Sequence, residues 1–265
     1  MQLQILLGVY AAVLGLIVGS YLNVLIFRLP LGISTVTPRS RCPRCGAPIR
    51  ALDNIPVISF LALGGRCRHC GARISWRYPG VEAVTGLLFL TCFLRFGISL
   101  QSPVAALFCA LMLALAMIDY DHMILPDKLT FAGIALGILL QPFVPWARLW
   151  EGPWGAMAGG VLGAVLGSGL LLAVWGVWLL VRREEGMGLG DAKMLAAIGA
   201  FLGWKGVLVS LFFAALAGAV VGLALMAFRG TDLKSKLPFG TFLALGGLIA
   251  LFAGEPIVQA YARLL

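Results

Sequence analysis

Two aspartates stand where a membrane protein can least ignore them. Asp119 closes the uncharged run PVAALFCALMLALAMI, and Asp191 stands in GMGLGDAK at the mouth of another apolar segment. A carboxylate at a membrane boundary is costly unless it is neutralised, paired or used, so each is a functional candidate. Two neighbouring carboxyls cannot both ionise readily; one keeps its proton while the other takes a proton from water. Such a dyad hydrolyses a peptide bond without a metal or a covalent intermediate.

The surrounding acids need not share that role. Asp119 abuts the apolar run and is expected to be the least hydrated, with Asp121 nearer water. Asp127 follows Pro126 and reads as a helix N-cap. Ahead of Asp191, Gly186, Gly188 and Gly190 allow close backbone approach, so that an unwound substrate segment can lie against the turn. A phosphate loop is the rival, but GxxxxGK[ST] spacing is lacking. A structural alternative has Asp191 capping its helix and pairing with Lys193 or Arg182.

A second chemical cluster is Cys42-Pro-Arg-Cys45-Gly and Cys67-Arg-His-Cys70-Gly, two CxxC knuckles separated by 21 residues. Each offers two thiolates to one tetrahedral ion, and four sulfurs leave no open position, which points to structural zinc. In roughly 50 residues with little core, a metal supplies most of the folding energy. The alternatives are two disulfides or free thiols, disfavoured in a reducing compartment, and His69 standing in for a cysteine. Cys92 and Cys109 lie in apolar segments and read as packing residues.

The elements that must position these groups are membrane helices. Of 265 residues 61% are hydrophobic and 12% charged, against roughly 25% charged in soluble domains; mean hydropathy is +0.99. Uncharged stretches cover residues 1–27, 103–118, 129–147, 155–181, 206–228 and 237–254, with weaker ones at 80–97 and 191–204. About 20 apolar residues span a bilayer, so the expected fold is all-α and polytopic, with about eight transmembrane helices. The first run lacks a basic n-region and exceeds the usual signal-peptide core, so it reads as a retained helix. Three parts follow: the first helix (1–27), a small cytoplasmic zinc-binding insertion (28–79) and a transmembrane domain (80–265).

The net charge of +9 reads as topology rather than nucleic-acid binding. If 28–79 is cytoplasmic and the helices alternate, only Arg95, Arg148, Lys205 and Arg263 of the 20 Lys and Arg face outward. This positive-inside bias puts both termini outside, with anionic lipids as natural neighbours. A transporter would set acids near the midplane of repeated halves, and no repeat is evident. A membrane-anchored nucleic-acid module leaves GMGLGD idle.

Taken in order, the segments GLIVGSYLNVLIFRLP, CPRCG, DNIPVISFLALGGRC, CRHCG, RYPGVEAVTG, IDYDHMILPDKLT, GMGLGDAKMLAAIGAFLGW and LPFGTFLALGG resemble the type IV prepilin peptidases of bacterial inner membranes, along essentially the whole chain. The resemblance implies that Asp119 and Asp191, in Gly188-Leu189-Gly190-Asp191, form a GxGD-type catalytic pair; Gly188, Gly190, Asp121, Asp127 and Lys193 are read as support for the substrate or the active site. It implies cleavage of a short basic leader from a prepilin or type II secretion pseudopilin. It also implies S-adenosylmethionine-dependent methylation of the new N-terminus, with Glu82 and Gly86 matching positions tied to methyl transfer. Glu82 reads equally as a buried structural acid paired with an arginine. The zinc knuckles, lacking in some monofunctional archaeal relatives, favour the bifunctional form. The leader's charge is expected to meet Asp121, Asp127, Glu184 and Glu185.

Overall fold

The computed structural model describes all residues except 1, 145, 183–187, 230–236 and 265, and only the backbone of Arg182 and Arg229. Glu184, Glu185 and Gly186 therefore lie outside the described residues. Among the described residues eight α-helices follow one another: α1 (Gln2–Arg28), α2 (Ile58–Ala62), α3 (Arg77–Phe96), α4 (Gln101–His122), α5 (Asp127–Leu140), α6 (Pro153–Arg182), α7 (Leu189–Arg229) and α8 (Phe239–Ala262). Among the described residues the only β-pairing is two isolated bridges, Arg41 with Pro48 and Arg66 with Arg73. A bilayer offers the backbone no water, so helices that satisfy their own N–H and C=O groups are the expected solution.

Six of these helices are long and apolar enough to cross a membrane. The 14-residue α5 is shorter than that, and α7 is two helices joined at Gly203, where φ 69° and ψ −175° interrupt the helix. The two halves of α7 and the short α5 complete the eight segments expected from hydropathy. The break frees carbonyls inside apolar surroundings, and Gln141 answers them. Its buried Nε2 donates to Ala200 O (2.7 Å) and Phe201 O (2.6 Å).

The chain divides into two compact units, Met1–Ala110 and Leu111–Leu265, the division falling inside α4. In the first, α1 lies along α3. Gly15 and Gly19, one turn apart, let the backbones meet: a Cβ at Gly15 would stand 2.7 Å from Thr85 O, and one at Gly19 2.7 Å from Glu82 Cα. Small-xxx-small spacing is how membrane helices approach closely without a hydrophobic driving force. Cys92 and Cys109 are fully buried in this unit, with their sulfurs 3.7 Å apart. In the second unit α7 packs against α5, α6 and α8, and Gly163 and Gly199 face each other so closely that neither admits a Cβ.

Candidate active site and cysteine centre

Each knuckle builds itself from local hydrogen bonds. Cys42 N–H donates to Ala47 O (2.9 Å) and Gly46 N–H to Cys42 O (2.9 Å); Cys67 N–H donates to Ala72 O (2.8 Å) and Gly71 N–H to Cys67 O (2.9 Å). The turns close because Gly46 and Gly71 take φ of 71° and 68°, a conformation glycine adopts without steric cost. The two turns bring the sulfurs of Cys42, Cys45, Cys67 and Cys70 within 4.8 Å of one another.

Those thiols are free, not disulfide-bonded, and Cys42 Sγ lies 3.9 Å from Cys70 Sγ. A tetrahedron with zinc–sulfur bonds of 2.3 Å has edges of about 3.8 Å, so the four thiols fit a tetrathiolate zinc. Among the described residues His69 stands outside this group. The backbone N–H groups of Cys45 and then Arg44 pull the Cys42 thiol down to about 6, which makes one thiolate available at neutral pH. A forked pair, Arg68 Nη2 to Asp53 Oδ1 (2.6 Å) and Nε to Oδ2 (3.0 Å), ties the second knuckle to the 3-10 turn Ala51–Asn54. The Arg68 guanidinium holds the Asp53 carboxyl below its ordinary range.

Next to the knuckles, Glu82 is buried near the start of α3. Its Oε2 accepts the N–H of Val57 at 2.7 Å, fastening the residue before α2 to α3. Val57 holds φ 60° there, which is strained for a β-branched residue. Gly86, one turn further along α3, serves packing: a Cβ would stand 3.0 Å from Leu16 Cδ2 and 3.3 Å from Ala12 O.

In the second unit, Asp119 is 5% exposed while its neighbours Tyr120 and Asp121 face outward. Helix α4 runs on past Asp119 to His122 and stops at Met123 (φ 52°), whose N–H donates back to Asp119 O. The turn then carries Leu125 inward before Pro126 caps α5. Asp127 is thus the first helical residue rather than the cap.

The start of α8 closes over Asp119. Thr241 N–H donates to Asp119 Oδ2 (3.0 Å), the Thr241 hydroxyl donates to Ala116 O (3.1 Å), and a Cβ at Gly240 would stand 2.9 Å from Asp119 Oδ2. Leu125 joins the parts: a Cβ at Gly240 would meet its Cδ1 at 3.1 Å, and one at Gly190 its Cβ at 3.0 Å. Gly190 immediately precedes Asp191, and the carboxylates of Asp119 and Asp191 lie within electrostatic range of each other. Gly188 stands beside this group, its Cβ position 3.8 Å from Asp191 Oδ2.

Lys193 pairs with Asp127, not with Asp191. Its Nζ is 2.6 Å from Asp127 Oδ1 and lies over the Phe131 ring, linking the first turns of α5 and α7. Asp191, by contrast, has no hydrogen-bond donor among the described residues. The geometry therefore gathers two acids, three glycines, a leucine and a helix N-terminus around one point. Leu125, Gly240 and Thr241 were not singled out from sequence. The only hint was LPFGT, a Pro-Phe-Gly at the start of an apolar run, which does not say what the helix start faces.

Comparison with known proteins gives the family of the chain. Residues 13–96 match the bacterial peptidase A24 N-terminal domain, and residues 106–223 the type IV leader peptidase family. The chain is 39% identical to a prepilin leader peptidase/N-methyltransferase of Stutzerimonas stutzeri, over 96% of this chain and 93% of that one. The chain belongs to the type IV leader peptidase family. A protein of the same description from Pseudomonas aeruginosa is 38% identical, over 94% of this chain and 91% of its own. One from Myxococcus xanthus is 44% identical, over 85% and 65%. No solved structure matches.

Proposed function

We propose that this chain cleaves the leader from type IV prepilins or type II secretion pseudopilins and methylates the N-terminus so exposed. Asp119 and Asp191 form the hydrolytic pair. The single observation that carries this reading is their convergence on one point from helices 72 positions apart in sequence. Family membership supports it, since the relatives are named for both activities.

The chemistry follows from two carboxyls sharing one proton. The ionised member takes a proton from water, which attacks the scissile carbonyl. The protonated member gives its proton to the carbonyl oxygen, and the tetrahedral intermediate collapses as the amine leaves protonated. Thr241 N–H orients Asp119 for this, while Gly188 and Gly190 leave room for an extended strand of substrate beside Asp191. Asp127 and Lys193 hold the helix start that carries Asp191, so Asp127 is engaged there rather than with a basic leader.

The cysteine segment, 28–79, is a zinc-held domain in the cytoplasm, and 80–265 carries the peptidase. Both termini face outward across a bacterial inner membrane, as the charge distribution supports, with lipids as neighbours. Glu82 serves methyl transfer, with Gly86 setting its helix against α1. S-adenosylmethionine, when bound, supplies an electrophilic methyl to the free amine.

The test is purified protein with a prepilin and S-adenosylmethionine, read by intact mass. Loss of the leader and gain of one methyl are expected. Asp119→Ala and Asp191→Ala should each lower cleavage by about 10²- to 10⁴-fold or more while a pre-cleaved peptide is still methylated. Cleavage by both single variants would sink the dyad.

A further inference from the structure

Between α1 and the first knuckle the chain does not leave the helix at once. Gly32 takes φ 68°, the left-handed turn with which many helices end, and Ile33 N–H donates back to Arg28 O (3.1 Å). Arg28 Nη1 donates to Ser34 O (3.0 Å), and the Tyr21 hydroxyl donates to Thr35 Oγ1 (3.3 Å). Tyr21 lies seven residues before Arg28, the end of α1, or about 10 Å along the axis. Ser34 Oγ accepts the N–H groups of Val36 and Thr37 at 3.3 Å each, which closes the loop. Residues 29–37 are therefore a hook doubled back along the outside of α1.

The hook carries its apolar side chains outward. Leu31, Ile33 and Val36 are 56%, 43% and 80% exposed, a cluster of branched aliphatics that surfaces facing water avoid. Their height gives the exposure a reason. The 27 residues of α1 measure about 40 Å, the thickness of a bilayer with its headgroups. A point about 10 Å inside the helix end then lies at the boundary between headgroups and acyl chains. The neighbouring helix gives the same level independently. Asn23 Nδ2 donates to Tyr78 O (3.0 Å), which sets the start of α3 beside this turn of α1, and Trp76 is 73% exposed there. Tyrosine and tryptophan exposed at one height are the residues of a membrane's aromatic belt.

We propose that residues 29–37 are an interfacial hook, with Leu31, Ile33 and Val36 set into the headgroup–acyl boundary of the cytoplasmic leaflet and Arg39 and Arg41 on anionic headgroups. The charge selects that partner. Residues 1–52 contain Arg28, Arg39, Arg41, Arg44 and Arg50 and no acid, which suits an anionic lipid surface and repels a basic leader. A second copy of the chain would bring the same positive charge. The hook ties the cysteine segment to the membrane plane only a few residues before Cys42. The proposal rests on the reading of α1 as a membrane span with 28–79 in the cytoplasm.

The experiment uses the full-length, zinc-loaded protein in nanodiscs of mixed phosphatidylglycerol and phosphatidylcholine. A benzophenone amino acid replaces Val36, Arg44 at the first knuckle, or Val9 on the exposed face of α1. Adducts are read by mass spectrometry after irradiation. Lipid adducts are expected at positions 36 and 9, with none at 44. Trypsin cleavage after Arg39 should be about tenfold faster in Val36→Glu, which withdraws one aliphatic side chain from the boundary. Wild type should be cleaved several-fold faster in discs of phosphatidylcholine alone.

Zinc content reports whether each variant keeps the cysteine segment; if Val36→Glu loses zinc, Val36→Ser takes its place. Lipid adducts at position 9 with none at 36, adducts at 36 to protein alone, or an unchanged tryptic rate in the Val36 variant would overturn the hook. No lipid adduct at position 9 would overturn the reading of α1 as a membrane span, and the hook with it.

Discussion

Asp119 and Asp191 differ in what surrounds them, and that difference is testable one side chain at a time. Gly240 has room for hydrogen only, because a Cβ there would stand 2.9 Å from Asp119 Oδ2. Gly240→Ala should therefore lower kcat for leader cleavage by about 10²-fold, the usual cost of a misplacement near 1 Å, with the melting temperature little changed. Lys193 is a different case. Its pair with Asp127 is partly exposed, 31% and 62% on the two sides, so Lys193→Ala should cost under about 1 kcal/mol of stability. It should nonetheless slow cleavage, because it loosens the turn carrying Asp191; Lys193→Arg should restore most of the rate, as steady-state kinetics would show. The two aspartates, the alternate glycines and the four cysteines were legible in the sequence because charge or thiols in those contexts have few other uses. Leu125, Gly240 and Thr241 were not, since a leucine, a glycine and a threonine in apolar sequence carry no mark of the carboxylate they will face.

At the scale of elements, the break in α7 organises the second unit. Gly203 occupies a backbone region that is essentially closed to other residues, and a Cβ there would meet Ala147 Cβ at 2.9 Å. Gly203→Ala should destabilise by about 1–3 kcal/mol, read as a lower midpoint in thermal unfolding in detergent. Gln141→Leu should cost about as much, about 1–3 kcal/mol, by leaving the Ala200 and Phe201 carbonyls without their donor. Because both act on one break, the double variant should fall short of the sum. Hydropathy divided this stretch into 191–204 and 206–228, close to the observed break. It could not reveal that a glutamine 62 positions earlier than Gly203 would satisfy the interruption, since that pairing is set by how α5 lies against α7.

Over the whole molecule, the two units should respond separately to loss of metal. Structural zinc in small domains contributes about 10–16 kcal/mol of apparent binding energy, more than the sparse core of 28–79 supplies. Chelation, or Cys45→Ser, should open that segment to protease while 111–265 stays resistant, as mass spectrometry of the fragments would show. Acid acts on the same domain through Asp53. The Arg68 guanidinium lowers its carboxyl below the ordinary 3.8, so the stabilisation is fully present above that value and fades as pH falls through the lower folded one. Asp53→Asn should remove this acid-limb dependence of domain unfolding and leave behaviour near neutral pH largely unaltered.

What the sequence determined by itself was everything written in hydropathy, charge and thiol spacing: an all-helical membrane chain, its eight segments, a tetra-cysteine domain and two acids at helix mouths. These are local or periodic signals, and the bilayer enforces them segment by segment. What only the tertiary structure decided was which groups meet. That Lys193 serves Asp127 rather than Asp191, that α8 begins on Asp119, and that Glu82 holds Val57 are contacts between positions far apart in the chain. Their energies come from close packing of glycine-notched helices, and no composition or spacing carries that geometry.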